Sequence, residues 1–225
     1  MTTTVAAAVT ALRDLLDETT AAQWSDVQLR RWLNEAIRDM ARRTHMYDDI
    51  KTIVAVSGTG EYTVPSDVLK INFMYFQQTG STQQFPMEAR AWEAMNNIWW
   101  DQQDSATGNP QLFTTFGMPP TLQLKVFPAP SIGGTFTLHV ARLPVALDVA
   151  TGTGNIEVPT AWLEAAYDYA EYKALRKDRD PRWQESLQLY EQKIEQMIDL
   201  RDTINAPGEF VFSGSGMLPT WLTDF

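Results

Sequence analysis

Apolar residues recur every three or four positions at both ends of the chain and at every second position in its middle. The first spacing is typical of helices that bury one face, and the second is typical of strands. The spacing of apolar positions over residues 5–17 predicts a short helix. A longer helix is predicted after Ser25, a good N-cap residue, with Gln28 at the capping-box position. Its buried stripe is predicted to contain Leu29, Trp32, Leu33, Ala36, Ile37 and Met40.

The middle of the chain has the alternating pattern of β-strands, separated by turns rich in glycine and proline. The predicted strands cover residues 52–56, 61–64, 68–77, 83–86, 112–116, 122–127 and 135–142. Residues 87–100 predict one short helix among them. In the last strand Phe136, Leu138 and Val140 alternate with polar residues, so His139 is predicted to face outward.

The C-terminal part returns to helical spacing. Thr160 is predicted to cap a helix over residues 162–177, and Asp180 to cap the next one, with Pro181 in its first turn. Apolar residues of the last helix have a heptad-like spacing, which requires a helical partner. That partner is either the preceding helix, in an antiparallel pair, or a helix of a neighbouring subunit. The spaced residues are Trp183, Leu187, Tyr190, Ile194 and Met197.

This order of elements predicts an α+β fold. Residues 1–50 and 156–205 are predicted to form a helical bundle from the N- and C-terminal helices. Residues 51–155 are predicted to be an antiparallel β domain, with one short helix, inserted into that bundle. Residues 206–225 are predicted to be an extended C-terminal tail.

The tail is interrupted by proline and glycine, which argues against a helix, yet it is rich in large apolar side chains. Burying such side chains gains about 25 cal/mol per Å2. We therefore expect the tail to be buried, either on its own domain or on a partner protein or adjacent subunit. The residues predicted to make this contact are Phe210, Val211, Phe212, Met217, Leu218, Trp221, Leu222 and Phe225.

Composition excludes several kinds of chemistry. The 225 residues include no cysteine and two histidines, His45 and His139, so disulfides and thiolate metal sites are excluded and a histidine-rich metal site is not expected. No cofactor is expected. No apolar run is long enough to cross a bilayer, and residues 1–10 lack the features of a signal peptide. We therefore expect a protein that is made in a cytoplasm and does not enter a membrane.

The net charge of −10 argues against DNA binding through a basic face. Positive charge is nevertheless present on the polar side of the second predicted helix. One interpretation is a solvated surface, and the alternative is a contact with acidic residues of a neighbouring subunit. The arginines concerned are Arg30, Arg31, Arg38 and Arg42.

Candidate catalytic residues are few. Glu88, Glu93 and Asp101 flank a group of tryptophans, a composition found in sugar-binding sites, but a helix packing its aromatic face onto the sheet explains the same pattern. The Gly-Thr-Gly triplets at 58–60 and 152–154 do not continue into a phosphate-binding loop. With no nucleophile elbow in the sequence either, we do not expect an enzyme.

The order of short motifs resembles the adaptor proteins of tailed bacteriophages, over roughly residues 20–205. The motifs are Trp24-Ser25-Asp26, Arg31-Trp32-Leu33-Asn34-Glu35-Ala36, Gly60-Glu61-Tyr62-Thr63-Val64-Pro65-Ser66-Asp67, Gly108-Asn109-Pro110, Leu124-Lys125-Val126-Phe127-Pro128-Ala129-Pro130 and Ile156-Glu157-Val158-Pro159.

This resemblance implies a structural virion protein at the head-tail interface, with no catalytic residues and no cofactor. It implies a homo-oligomeric ring, usually a dodecamer, below the portal protein, with the C-terminal segment on the portal and the β domain against the next tail or nozzle protein. The genome would cross the lumen without specific DNA binding. The alternatives are another tail structural protein, such as a nozzle or terminator, or a peptidoglycan-degrading virion enzyme.

Overall fold

A computed structural model of the chain describes residues 3–18, 23–96 and 106–205. The fold is α+β, as the sequence predicts. Two helices come first, a strand-rich segment follows, and two long helices end the described chain. The predicted tail, residues 206–225, lies outside the described residues.

The two N-terminal helices begin at side-chain caps. Helix α1 covers Val5–Leu15 and helix α2 covers Asp26–Thr44. The hydroxyl oxygen of Ser25 accepts a hydrogen bond from the backbone N–H of Gln28 at 3.3 Å, which confirms the predicted N-cap. All six residues of the predicted α2 stripe are buried.

Seven strands form one sheet. In their order across the sheet they are β2 Asp48–Ala55, β10 Gly134–Arg142, β4 Val68–Gln78, β5 Gln84–Ala89, β7 Leu112–Phe116, β8 Gln123–Phe127 and β3 Glu61–Thr63. Neighbouring strands are antiparallel except β5 and β7, which are parallel. The sheet nearly closes, because its two end strands, β2 and β3, approach each other. The Tyr62 hydroxyl on β3 is hydrogen-bonded to the backbone of Val56, just after β2, and donates to the carbonyl of Thr59.

Two small strand pairs stand apart from the main sheet. Strand β1, Thr3–Thr4, pairs antiparallel with β11, Asn155–Ile156. Strand β6, Thr107–Gly108, pairs parallel with β9, Ala129–Pro130. The first pair ties the start of the chain to the segment that leads into the C-terminal helices.

Two predictions for the middle of the chain are corrected. Met87 to Ala89 belong to β5 instead of starting a helix, because Met87 is buried opposite Met74 of β4. The short helix, α3, is described only over residues 92–96, and residues 97–100 lie outside the described part. The predicted β domain is also not wholly antiparallel, since the connection from β5 through α3 returns the chain to the same end of the sheet.

The C-terminal helices pack as an antiparallel pair. Helix α4 covers Leu163–Asp178 and helix α5 covers Trp183–Asn205. The ring centroids of Tyr172 and Trp183 are 6.0 Å apart, and those of Tyr169 and Tyr190 are 5.1 Å apart. Residues further along α5 therefore contact residues nearer the start of α4, which confirms the predicted antiparallel pairing of these two helices.

The predicted caps of these helices have different outcomes. A carboxylate oxygen of Asp180 accepts a bond from the backbone N–H of Arg182 at 2.9 Å, as expected of a cap. Thr160 instead begins a 3₁₀ turn, Thr160–Trp162, and Trp162 occupies the cap position of α4 without a side-chain cap bond. The prediction that Thr160 caps the helix was wrong because the chain tightens into this turn first.

Two hydrophobic clusters divide the described core. One joins α1, α2, α4 and α5 through residues such as Leu12, Leu33 and Ile194. The other fills the inner side of the sheet around Phe76, Phe136 and Leu124. The two are distinct clusters of buried residues, so the sheet and the helices each have their own apolar interior.

Candidate functional site

The outer side of the sheet is a candidate docking surface. Ile50 and Val54 of β2 point outward and are 58% and 74% exposed. Strand β2 lies at an edge of the sheet and pairs only with β10 among the described strands. Outward apolar side chains on such a strand can bind an apolar surface of another protein.

Aromatic side chains extend this surface across the neighbouring strands. His139 of β10 lies between Ile50 of β2 and Phe73 of β4 in the register. Its ring centroid lies 5.8 Å from that of Phe73 and 6.1 Å from that of Tyr75. Ile50, Val54, Phe73, Tyr75 and His139 are here called the outer sheet face, and His139 is on the outward side, as the sequence predicts.

The predicted arginine surface separates into two kinds of residue. The guanidinium of Arg30 donates to the backbone carbonyls of Val149 and Ala150, at 3.0 and 2.8 Å. Gly152 packs against it, and a Cβ atom there would lie 2.7 Å from the guanidinium carbon of Arg30. Arg30 therefore holds a loop of its own chain.

Arg31 and Arg42 are exposed, and Arg38 is half-buried on the same side of α2. Helix α4 adds Lys173, which pairs with Glu35 of α2 at 3.3 Å, so the two helix surfaces are continuous. We call these residues the basic helical face: Arg31, Arg38 and Arg42 of α2, and Lys173, Arg176 and Lys177 of α4.

Aromatic rings support the α4 side of this face. The ammonium nitrogen of Lys177 lies 5.1 Å from the ring centroid of Trp24, and that of Lys173 lies 5.1 Å from the ring of Tyr169. Trp32 lines the shallow depression between the helices. Stacking on rings holds a cation in place while leaving its charge available to a partner.

A cleft of about 820 Å3 lies where the end of α5 approaches the first residues of β2 and β4. Its lining includes His45, the left-handed residue that ends α2, together with Lys70 and Arg201. Burial, and then the nearby charges of Lys70 and Arg201, lower the pKa of His45. The guanidinium of Arg201 also donates to the carbonyl of Thr44 at 2.8 Å, which fastens α5 to the end of α2.

The candidate catalytic carboxylates that the structure describes, Glu88 and Glu93, lie on the exposed surface. Glu88 is exposed and pairs with Arg90 at 2.9 Å. Glu93 is exposed on α3, and Asp101 lies outside the described residues. Within residues 3–18, 23–96 and 106–205, no group of three histidine or carboxylate side chains could hold a metal ion.

The residues predicted for the partner contact of the tail lie outside the described residues: Phe210, Val211, Phe212, Met217, Leu218, Trp221, Leu222 and Phe225. None of the helices in the described part of the chain is long and apolar enough to cross a membrane.

The outer sheet face was not predicted as one surface, because the first residues of β2, 48–50, were assigned to the helical part. The signal was present in the alternation that starts at Asp48 and places Ile50, Thr52 and Val54 on one side. Two consecutive apolar residues, Ile53 and Val54, obscure that alternation.

Residues 3–210 match the protein-family model described as SU10 adaptor protein. This range contains every described helix and strand. No curated protein matches the chain.

Proposed function

Because the chain belongs to the SU10 adaptor protein family, a phage head-tail adaptor family, we propose that it forms a ring between the portal protein and the tail. Membership establishes a structural phage adaptor protein, which implies a place in the virion and contact with other head or tail components. The ring, its twelve copies and the passage of the genome through its lumen are the proposal.

The family match over residues 3–210 carries the proposal, and the outer sheet face supports it. An exposed apolar band is costly in water, and the cost is removed when a partner covers it. In our proposal the next tail component, such as a nozzle protein, covers this face. In our proposal the N- and C-terminal helices form the body of the ring.

The C-terminal tail, residues 206–225, completes the proposed contacts. We propose that its apolar residues bind the portal protein or an adjacent subunit. An extended segment that orders on binding can cover a large surface of its partner. The net charge of −10 suits passage of the genome, because an acidic wall does not hold phosphate groups.

Binding to portal rings tests the proposal. The full chain should bind purified portal rings, and a chain ending at Asn205 should lose this binding while its circular dichroism spectrum and melting temperature stay unchanged. Electron microscopy of the particle should place the chain between portal and tail. Density elsewhere in the tail would instead support a nozzle or terminator role.

A further inference from the structure

Positive charge is concentrated on one side of the helices. The basic helical face holds six of the 18 lysines and arginines in a chain whose net charge is −10. The acidic residue Glu35 lies between these cations, and its carboxylate already pairs with the ammonium group of Lys173. Arg31 and Arg42 make no ion pair with any residue in the described ranges. The charges of Arg31 and Arg42 are therefore available to a partner.

Helix α5 has the opposite charge on its outward side. Glu185, Glu195 and Asp199 are exposed, and none of them is paired with a cation in the described part of the chain. Exposed glutamines at positions 188, 192 and 196 lie between them, whereas Tyr190, Ile194 and Met197 face the core. We call Glu185, Glu195 and Asp199 the acidic α5 stripe.

The two surfaces have similar lengths. At 1.5 Å per residue, Arg31 to Arg42 covers about 16 Å of α2, and Glu185 to Asp199 covers about 21 Å of α5. Within each surface the residues recur at intervals that place them on the same side of a helix. A face-to-face contact could therefore align several opposite charges at once.

The two surfaces cannot meet within one subunit. Helices α2 and α5 contact each other through other residues: the Tyr190 hydroxyl donates to the Asp39 carboxylate at 2.6 Å, and Arg43 pairs with Glu191 at 2.5 Å. The basic helical face and the acidic α5 stripe lie on the outward sides of these helices. Only a second molecule can bring them together.

We propose that the basic helical face of one copy binds the acidic α5 stripe of the next copy. Because the two surfaces differ, each subunit would contact one neighbour with the first and another neighbour with the second. Contacts of this head-to-tail kind produce a ring when the rotation closes. This inference rests on the proposed ring and specifies the surfaces that join its subunits.

A second copy fits this face better than DNA does. The matching acidic stripe is carried by the same polypeptide, so it is present at the same concentration as the basic helical face. Complementary charge also fixes register and rejects wrong partners, which a ring of identical subunits requires.

Charge reversal on each side tests the contact with the full chain. One variant carries Arg31→Glu and Arg42→Glu, and the other carries Glu195→Arg and Asp199→Arg. Self-association is measured by sedimentation, alone and with portal rings. Each variant alone should associate at least tenfold more weakly than the unmodified chain. An equimolar mixture of the two should recover association, because every contact then joins opposite charges.

The combination of all four substitutions in one chain should also recover association. A control with Lys70→Glu on β4 and Arg90→Glu just after β5 lowers the net charge as much as the arginine variant does, and it should associate normally. If a reversed variant unfolds, Arg31→Gln with Arg42→Gln replaces it and should show a smaller loss. Normal association of both folded variants, or loss that mixing does not restore, would overturn the inference.

These results separate the inference from the proposed function. If the variants form rings on the portal as well as the unmodified chain does, the surfaces are wrong and the adaptor role stands. If the unmodified chain neither self-associates nor joins portal rings, the proposed ring itself fails, and the inference fails with it.

Discussion

The outer sheet face and the basic helical face are both exposed, yet they differ in chemistry. The first is made of Ile50, Val54 and three rings on a sheet. The second is made of long charged side chains on two helices, some of them stacked on aromatic rings. One face favours a partner by removing apolar surface from water, and the other by matching charge.

This difference has a consequence for assembly. Burial of apolar surface is little affected by salt, whereas attraction between exposed charges is screened over about 8 Å at physiological ionic strength. The outer sheet face is therefore suited to a contact that stays closed once made. The basic helical face is suited to contacts that form reversibly, so that subunits can adjust their alignment before the proposed ring closes.

Phe136→Ala should have the largest effect, because it removes the interior that supports the outer sheet face. Phe136 is fully buried, and its ring contacts those of Tyr62 and Phe76. We expect a loss of about 3–5 kcal/mol in the free energy of unfolding, measured by denaturant titration. Thr135→Ala, on the outward side of the same strand, is the control and should change it by less than about 0.5 kcal/mol.

Val54→Lys combined with Phe73→Ser should leave the sheet folded but prevent its docking. Both side chains are exposed, so the free energy of unfolding should change by less than about 0.5 kcal/mol. Binding of the next tail component should weaken about a hundredfold, since two buried apolar anchors would be lost. Met118→Lys, at an exposed residue outside this face, should bind normally. Unchanged binding of the double variant would contradict the docking role.

Arg30→Ala and Arg31→Ala should separate structural from surface arginines. Arg30 holds two carbonyl groups of the 149–150 segment, so its loss should cost about 2 kcal/mol of unfolding free energy. Arg31 is exposed, and its loss should cost less than about 0.5 kcal/mol. Thermal and denaturant unfolding of the two variants, side by side, measures the difference. Equal losses would show that Arg30 is not a structural residue.

His45 should give the smallest effect, visible as a dependence on pH. Its pKa is lowered in the folded chain, so the unfolded chain binds the proton more readily. Stability should therefore be full above the ordinary value of 6.5 and fall as the pH decreases below it. His45→Asn keeps a residue that tolerates the left-handed conformation but removes the titrating group. The pH dependence of stability should therefore become flatter between about pH 5 and 7, where histidine titrates. A slope that persists in the variant would assign the dependence to another group.

Local patterns in the sequence predicted the elements that depend on local physics. The cap at Ser25 and the buried stripe of α2 follow from short-range spacing, and the structure confirms both. The strand at Gly134–Arg142 follows in the same way, because alternate residues are buried from Gly134 to Val140.

Features that depend on distant contacts were not predicted. Met87 reads as a helix start until Met74 is known to pair with it across the sheet. Arg30 and Arg31 are equivalent in the sequence, and only the approach of the loop around Val149 distinguishes them. The parallel pairing of β5 with β7 likewise depends on how the chain returns through α3. The tail remains a prediction from composition.

The points where the chain enters and leaves the sheet lie side by side. Asp48, the first residue of β2, is opposite Ala141 near the end of β10. The guanidinium of Arg142, the last residue of β10, forms ion pairs with the carboxylates of Asp49 on β2 and of Glu157. Both nitrogen–oxygen distances are 3.1 Å. A sheet attached at one such point can be exchanged by recombination, or lengthened by evolution, without moving the helices. In the proposed ring, the sheet could therefore vary to suit different tail components while the helical frame stays the same.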